Sequence, residues 1–262
     1  MKAGVAGESV LQRVSRILRA FDSDHCHLAL GPLARRAALP TSTASRLALE
    51  MVELGLLERN ENGEFSVGLQ LWEIAALADS PITLRSALSP LLDDLLAVTR
   101  QHLQLVIRDG EEGVVLDRRD GHADLPLHYH VGGRIPLAPT ATGQILLAAA
   151  PPDLLEDMLH RNDYGWPTFE CDRPTAKIIR AQIAAVRGAD LAVLRRPTSP
   201  VVSVGVPVRD ANRRVVAAIG ILMARDGMPI SQVEPLMRAA ALTATRILGA
   251  GESPRPPAWS RR

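Results

Sequence analysis

LARRAALPTSTASRL, Leu33 to Leu47, is the stretch on which the fold turns. It divides at Leu39-Pro40, because a proline disfavours helix in the residue before it. Upstream of the break, Gly31-Pro32 opens a short helix, Pro32 to Ala38, since proline suits a first helical turn. Beyond it, Thr41 or Ser42 can cap a second helix. That helix runs to about Leu54 and stops at Gly55. Its apolar residues Ala44, Leu47, Ala48 and Met51 form one stripe. Ser42, Ser45, Arg46 and Leu49 form another, with Thr43 beside it. The first stripe needs a core; the second is left for solvent or a partner.

The flanks complete the pattern. Val10, Val14, Ile17, Leu18 and Phe21 recur at helical spacing ahead of the stretch. Leu28 to Leu30 reads as a very short strand. Behind it, Leu56 to Arg59 and Phe65 to Val67 flank Asn60-Glu61-Asn62-Gly63-Glu64, and Asn-Gly between two extended runs signals a hairpin. Helix, helix, helix, hairpin is the order of a winged helix-turn-helix. The unit spans 9–68, with the helix-turn-helix at about 31–54 and the wing at 56–67.

A helix-turn-helix lays its second helix in the major groove, N-terminal residues at the base edges. Here those residues are Thr41, Ser42, Thr43, Ser45 and Arg46. Short hydroxyls reach phosphates or base edges without steric cost, and an arginine offers its fork to guanine or phosphate. Between Gly31 and Leu49 stand Arg35, Arg36 and Arg46 and no acid, although eight bases and eight acids balance over Met1 to Ser66. Positive charge is thus gathered on the proposed DNA face of a nearly neutral chain (+1 overall). Arg59, at the base of the wing, is a phosphate contact or a solvated residue. A docking or dimerisation module is the competing reading of so small a helical unit.

The rest of the 262 residues leaves room for a second domain. A hydrophobic share of 47% with 23% charged excludes whole-chain disorder. The longest apolar run, Val215 to Ala224, is too short for a span of about 20 residues, so no membrane partner is expected. Two cysteines make neither a disulfide framework nor a four-cysteine zinc site. No leader pattern opens the chain, and a reducing cytoplasm is the expected compartment.

Leu69 to Ala78 reads as a linker helix within 69–83, broken by Asp79-Ser80-Pro81. The second domain, 84–250, alternates helices and strands. A long helix is marked by Ala87 to Leu96. Strands are expected at Gln104 to Arg108, Val114 to Asp117, Leu125 to Val131, Val201 to Arg209 and Arg214 to Ala224. Helices are expected at Thr142 to Ala150, Pro152 to His160 and Thr175 to Arg187, with a last one capped by Ser231 and Glu234. Adjacent hairpins flanked by helices make an α+β fold with an antiparallel sheet. Met1 to Glu8 reads as a loose arm, and 251–262 as a disordered tail.

These residues resemble the IclR family of bacterial transcription regulators. LQRVSRIL (Leu11 to Leu18) is similar to the family's first helix, and Leu33 to Leu47 to its L-A-x-x-x-G-L-P-x-S-T-x-x-R-L signature. VELGLLERNENGEFSVG (Val52 to Gly68) is similar to its wing. Ala38 stands where the family has glycine, a change expected to matter little. The likeness continues through Leu84-Arg85, Asp117-Arg118, Arg134 to Leu137, Thr140 to Gly143, Val206 to Val208 and Val216 to Ile219. It implies a DNA-binding regulator with a GAF-like effector domain, acting as a homodimer or homotetramer on a double-stranded operator. It also implies an effector pocket at Ala141, Thr142, Gly143, Ser203, Gly220 and Leu222. The first three open a helix, whose free N–H groups favour a carboxylate. Relatives that bind small acids offer serines on the strand here occupied by Gly220 and Leu222, and an acidic stretch where this chain has Leu191 to Arg196. The resemblance therefore implies a small organic effector, an organic or aromatic acid or a more apolar ligand.

Other chemistry is thin. His128 and His130 alternate on one expected strand and, with His122, Cys171 and Asp172, could compose a zinc site; solvated or pocket-lining histidines are the preferred reading, with no metal and no cofactor. A hydrolase built on His128 or His130 with Asp117 or Asp120 lacks any supporting motif, so no catalytic residue is assigned. A sensor that binds ligand without DNA is the remaining alternative.

Overall fold

A computed structural model of the chain describes residues 8–22, 24–77, 79–125, 127, 129–161, 174–196 and 199–250. They fall into two compact units divided at Ala78. The tail expected at 251–262, and all but Glu8 of the expected arm, lie outside the described residues.

The first unit is α1 (Val10–Leu18), α2 (Leu30–Arg36), α3 (Thr41–Glu53), β1 (Leu57–Arg59), β2 (Phe65–Val67) and α4 (Leu69–Ala76). Ser9 and Gln12 close a capping box on α1. Ile17, Leu33, Leu47, Ala48, Met51, Leu57 and Phe65 make the core, each almost fully buried. A fully buried leucine such as Leu47 contributes about 1.5–3 kcal/mol. β1 and β2 pair antiparallel, Arg59 opposite Phe65, and Gly63 takes the positive φ (+78°) that closes the five-residue loop.

Three expectations are corrected here. Leu28 to Leu30 is not a strand: Leu28 makes one bridge to Phe65, and α2 already starts at Leu30, because Gly31-Pro32 fits within a first turn as well as before one. Neither Thr41 nor Ser42 caps α3. Pro40 occupies the cap, with no side-chain bond, and both hydroxyls sit in the first turn. Ala38, in the turn, has φ +50°. The Leu39 N–H bonds the Ala34 carbonyl at 2.9 Å and the Ala38 N–H the Arg35 carbonyl at 3.0 Å. This is the left-handed helix end that glycine ordinarily supplies. Alanine there costs about 1–2 kcal/mol in backbone strain, so the change is not without consequence.

The second unit contains α5 (Asp79–Thr99), β3 (His102–Asp109), β4 (Glu112–Arg119), β5 (Arg134–Pro136), α6 (Ala141–Ala149), α7 (Pro152–His160), α8 (Ala176–Ala189), β6 (Ala192–Arg195), β7 (Val201–Arg209), β8 (Val215–Ala224) and α9 (Ile230–Ala250). The six strands form one antiparallel sheet in the order β5-β4-β3-β8-β7-β6. One face packs on α5 and α9 through residues such as Leu88, Leu105, Val204 and Met237. The other packs on α6, α7 and α8 through Val106, Ile145, Leu147, Met158 and Ile183. The fold is α+β, as expected. Among the described residues no helix is long and apolar enough to cross a membrane.

Corrections fall here too. Asp79-Ser80-Pro81 opens α5 instead of breaking the chain, for proline is harmless in a first turn. Leu125 to Val131 is not a strand in its described residues (126 and 128 lie outside them); the place beside β4 is taken by β5, with Ile135 opposite Gly113. Alternating side chains do not say which backbone wins the hydrogen bonds. The edge strand β6 was not foreseen. Ser231 lies inside α9, and the Pro229 carbonyl receives the Gln232 and Val233 N–H groups.

Candidate functional site

In the first unit, the buried stripe of α3 fixes what its other side shows. Ala44, Leu47, Ala48 and Met51 are at most 2% exposed, so Thr41, Ser42, Arg46 and Leu49 are presented to solvent, with Thr43 and Ser45 half-buried. The uncapped start leaves first-turn N–H groups beside these hydroxyls, a combination suited to a phosphate. Arg46 pairs with Glu50 at 3.3 Å, both side chains more than half exposed. Such a pair is worth about 0–1 kcal/mol, so the guanidinium is easily surrendered.

The other basic residues differ in freedom. Arg35 is exposed, and no hydrogen bond or ion pair with another described residue engages it. Arg36 donates through Nε to the Ala20 carbonyl at 2.6 Å and pairs with Asp22, so it ties α2 to the end of α1. Arg59 lies 5.5 Å from the Phe65 ring centre and bonds the Gly63 carbonyl, at the root of the wing.

In the second unit, the residues implied by the resemblance share one face of the sheet but not one cavity. Thr140 caps α6, accepting from the Gly143 N–H at 3.1 Å and donating to the Pro136 carbonyl at 2.8 Å. The Gly143 amide is thus already used. Ala141, Thr142 and Gly143 are buried. They sit on Gly205 and Gly220, which face each other across β7 and β8. A Cβ at Gly205 would lie 2.8 Å from the Ala141 carbonyl, and one at Gly220 would lie 2.5 Å from Thr142 Cγ2. These glycines admit the helix, which leaves no space for a ligand at that point.

A narrow cleft lies one residue pair along the strands, with a cavity volume of only about 10 Å³, so that a ligand larger than water enters only as its lining side chains move apart. Leu222 lines it, joined by His102, Leu103, Gln104, Arg118, Leu127 and Tyr129. Ser203 is opposite Leu222 in the register, and Gly220 opposite Gln104. The polar groups are held firmly. Gln104 donates to Thr142 Oγ1 at 3.2 Å. His102 accepts from the Gly121 N–H at 3.1 Å and, through Nε2, donates to the Ala123 carbonyl at 2.6 Å. Arg118 reaches the Tyr129 carbonyl at 2.6 Å and Asp120 at 2.7 Å. Burial pushes the Tyr129 phenol up in pKa, opposed by the nearby charge of Arg196. Burial likewise lowers the Arg196 pKa, opposed by Tyr129. Both side chains are half-buried, an aromatic ring and a partly desolvated cation near each other.

Sequence reasoning missed His102, Gln104 and Tyr129. The signal was there for Gln104, a lone amide inside the apolar run of β3. Asp117, weighed above as an acid, is 2% exposed and faces α5, bonded to Arg119 at 2.7 Å and to Arg85 at 3.4 Å. His128, Cys171 and Asp172 lie outside the described residues. Among those described, no three His, Cys, Asp or Glu gather as metal ligands.

Comparison with known proteins agrees in both units. Residues 10–61 match the IclR helix-turn-helix domain, and residues 77–247 the bacterial transcriptional regulator IclR C-terminal domain. The chain is 26% identical to the regulator XynR of Escherichia coli, over 91% of this chain and 96% of that one. It is 30% identical to the regulator TtgV of Pseudomonas putida, over 73% and 71%. An IclR homologue from Microbacterium hydrocarbonoxydans, solved with 4-hydroxybenzoate, superposes with a TM-score of 0.83 at 29% identity, covering 93% of this chain and all of the other.

Proposed function

The chain belongs to the IclR family of DNA-binding transcriptional regulators, whose C-terminal domain binds a small effector, and on that footing we propose how each unit does its work. Thr41, Ser42, Thr43, Ser45 and Arg46 read the major groove, Arg46 donating to a base edge and the hydroxyls fixing the register on phosphate. Arg35 and Arg59 are phosphate contacts; Arg36 is a strut. The observation that carries this is the division of α3 into a buried stripe and a side exposed at Thr41, Ser42, Arg46 and Leu49. A homodimer or homotetramer in the cytoplasm presents two such helices to two half-sites about one helical turn, or a multiple, apart. Recovery of an inverted repeat from a random duplex library by the full chain supports this reading; recovery of no sequence sinks it.

The effector is an aromatic acid held in the cleft beside Leu222. Its ring lies against Leu127 and Leu222, and its carboxylate is drawn to the guanidinium of Arg118. Thr142, which receives the Gln104 amide, and Ser203, opposite Leu222, adjoin this cleft, while Ala141, Gly143 and Gly220 back it through the packing of α6 on the sheet. The 4-hydroxybenzoate held by the Microbacterium homologue supports the choice of ligand class. Calorimetry against 4-hydroxybenzoate, benzoate, pyruvate and glyoxylate tests it. Binding confined to the two aromatic acids is expected; preference for pyruvate or glyoxylate overturns it. Ligand binding changes operator affinity only if it favours one of two arrangements of the paired DNA-binding units.

A further inference from the structure

We propose that Arg16, a residue of α1 outside the reading face, is a positioning residue for α3: it clamps the turn that aims the helix, in place of the glycine this turn lacks. All three guanidinium nitrogens are engaged. Nε donates to the Ala37 carbonyl at 2.7 Å and Nη2 to the Ala38 carbonyl. Nη1 lies 3.0 and 2.8 Å from the two carboxylate oxygens of Glu8. Ala37 and Ala38 carry carbonyls that the end of α2 leaves without intrahelical partners. Two residues later Pro40 starts α3, receiving the Ala44 N–H at 2.9 Å. The clamp therefore grips the short connection that sets the α2–α3 angle, and it does so where the backbone is strained (Ala38 φ +50°). Charged hydrogen bonds to backbone carbonyls are among the stronger ones available for this. Glu8, immediately before the α1 cap, pairs with the guanidinium and orients it.

A clamp and a phosphate contact make opposite predictions for salt. Removing a phosphate contact lowers the slope of log affinity on log salt by about one. Loss of a clamp leaves that slope unchanged and erodes sequence discrimination. The probe is a duplex enriched by the wild-type full chain from a random library, against a scrambled duplex of equal length. Arg16→Met is expected to weaken the enriched duplex about tenfold, to leave the scrambled one within a factor of two, and to keep the salt slope. Ala38→Gly in the same chain is expected to recover most of that loss, because glycine holds the turn without help; Arg16→Lys, a single ammonium, is not. Should Arg16→Met fail to fold by circular dichroism, Glu8→Gln takes its place, with a two- to threefold loss expected on the enriched duplex alone. Wild-type affinity in the folded variant, a reduced salt slope, or no recovery by Ala38→Gly overturns the proposal. The selection step separates it from the DNA-reading assignment: with no enriched duplex that assignment fails first.

Discussion

Two helices of this chain begin with nearly the same letters. α3 follows Pro40 with Thr41-Ser42-Thr43-Ala44, and α6 follows Pro139 with Thr140-Ala141-Thr142-Gly143. In α3 the proline is the cap, no hydroxyl caps the helix, and Thr41 and Ser42 are exposed. In α6 the threonine is the cap, its hydroxyl is bonded on both sides, and the turn is buried on the sheet. A helix start is thus a binding element only where packing leaves it uncovered. Gly205 and Gly220 let the sheet cover the second, whereas the first keeps Thr41 and Ser42 exposed.

Substitutions break or sharpen this contrast. Gly205→Val places side-chain atoms against the Ala141 backbone and is expected to cost about 3 kcal/mol. Calorimetric unfolding of the second unit reads it. Next in size, Arg46→Ala should cost about 1–3 kcal/mol on an enriched duplex, with unfolding unchanged. Normal binding by that variant would mean that α3 is not the reading helix. Thr140→Ala removes a cap and should lower the stability of the second unit by about 1 kcal/mol. Its counterpart Thr41→Ala should not measurably destabilise the first unit in the same melt, and should weaken DNA binding instead. A gentler change is Ala38→Gly, expected to add about 0.5–1 kcal/mol to the first unit in a thermal melt, since the left-handed strain exceeds the entropy cost of glycine. Smallest of all, Arg35→Ala should reduce the salt slope of DNA binding by about one, and Arg36→Ala, already bonded to Ala20 and Asp22, should not.

The sites were unevenly legible. The α3 stripe, the hairpin around Asn60 to Glu64 and the β7–β8 pairing rest on spacings of a few residues, so periodicity and turn chemistry reached them. Leu125 to Val131 deceived for the same reason: its alternation is local, whereas β5 won the place beside β4 by pairing. The cleft was the least readable. His102 and Gln104 come from β3, Arg118 from β4 and Leu222 from β8, and only the register of three strands brings them together. Arg16 was likewise invisible, because its partners Ala37 and Ala38 stand 21 and 22 residues away and offer only backbone.

What the order of residues settled by itself was where helices break, which stripe of each is apolar, and where basic charge collects. These follow from steric and solvation preferences acting within a turn or two. Which of two similar helix starts meets solvent was settled by tertiary packing alone. That outcome depends on a pair of glycines far along the chain from α6 and opposed to each other only by strand register, a relation no local preference encodes.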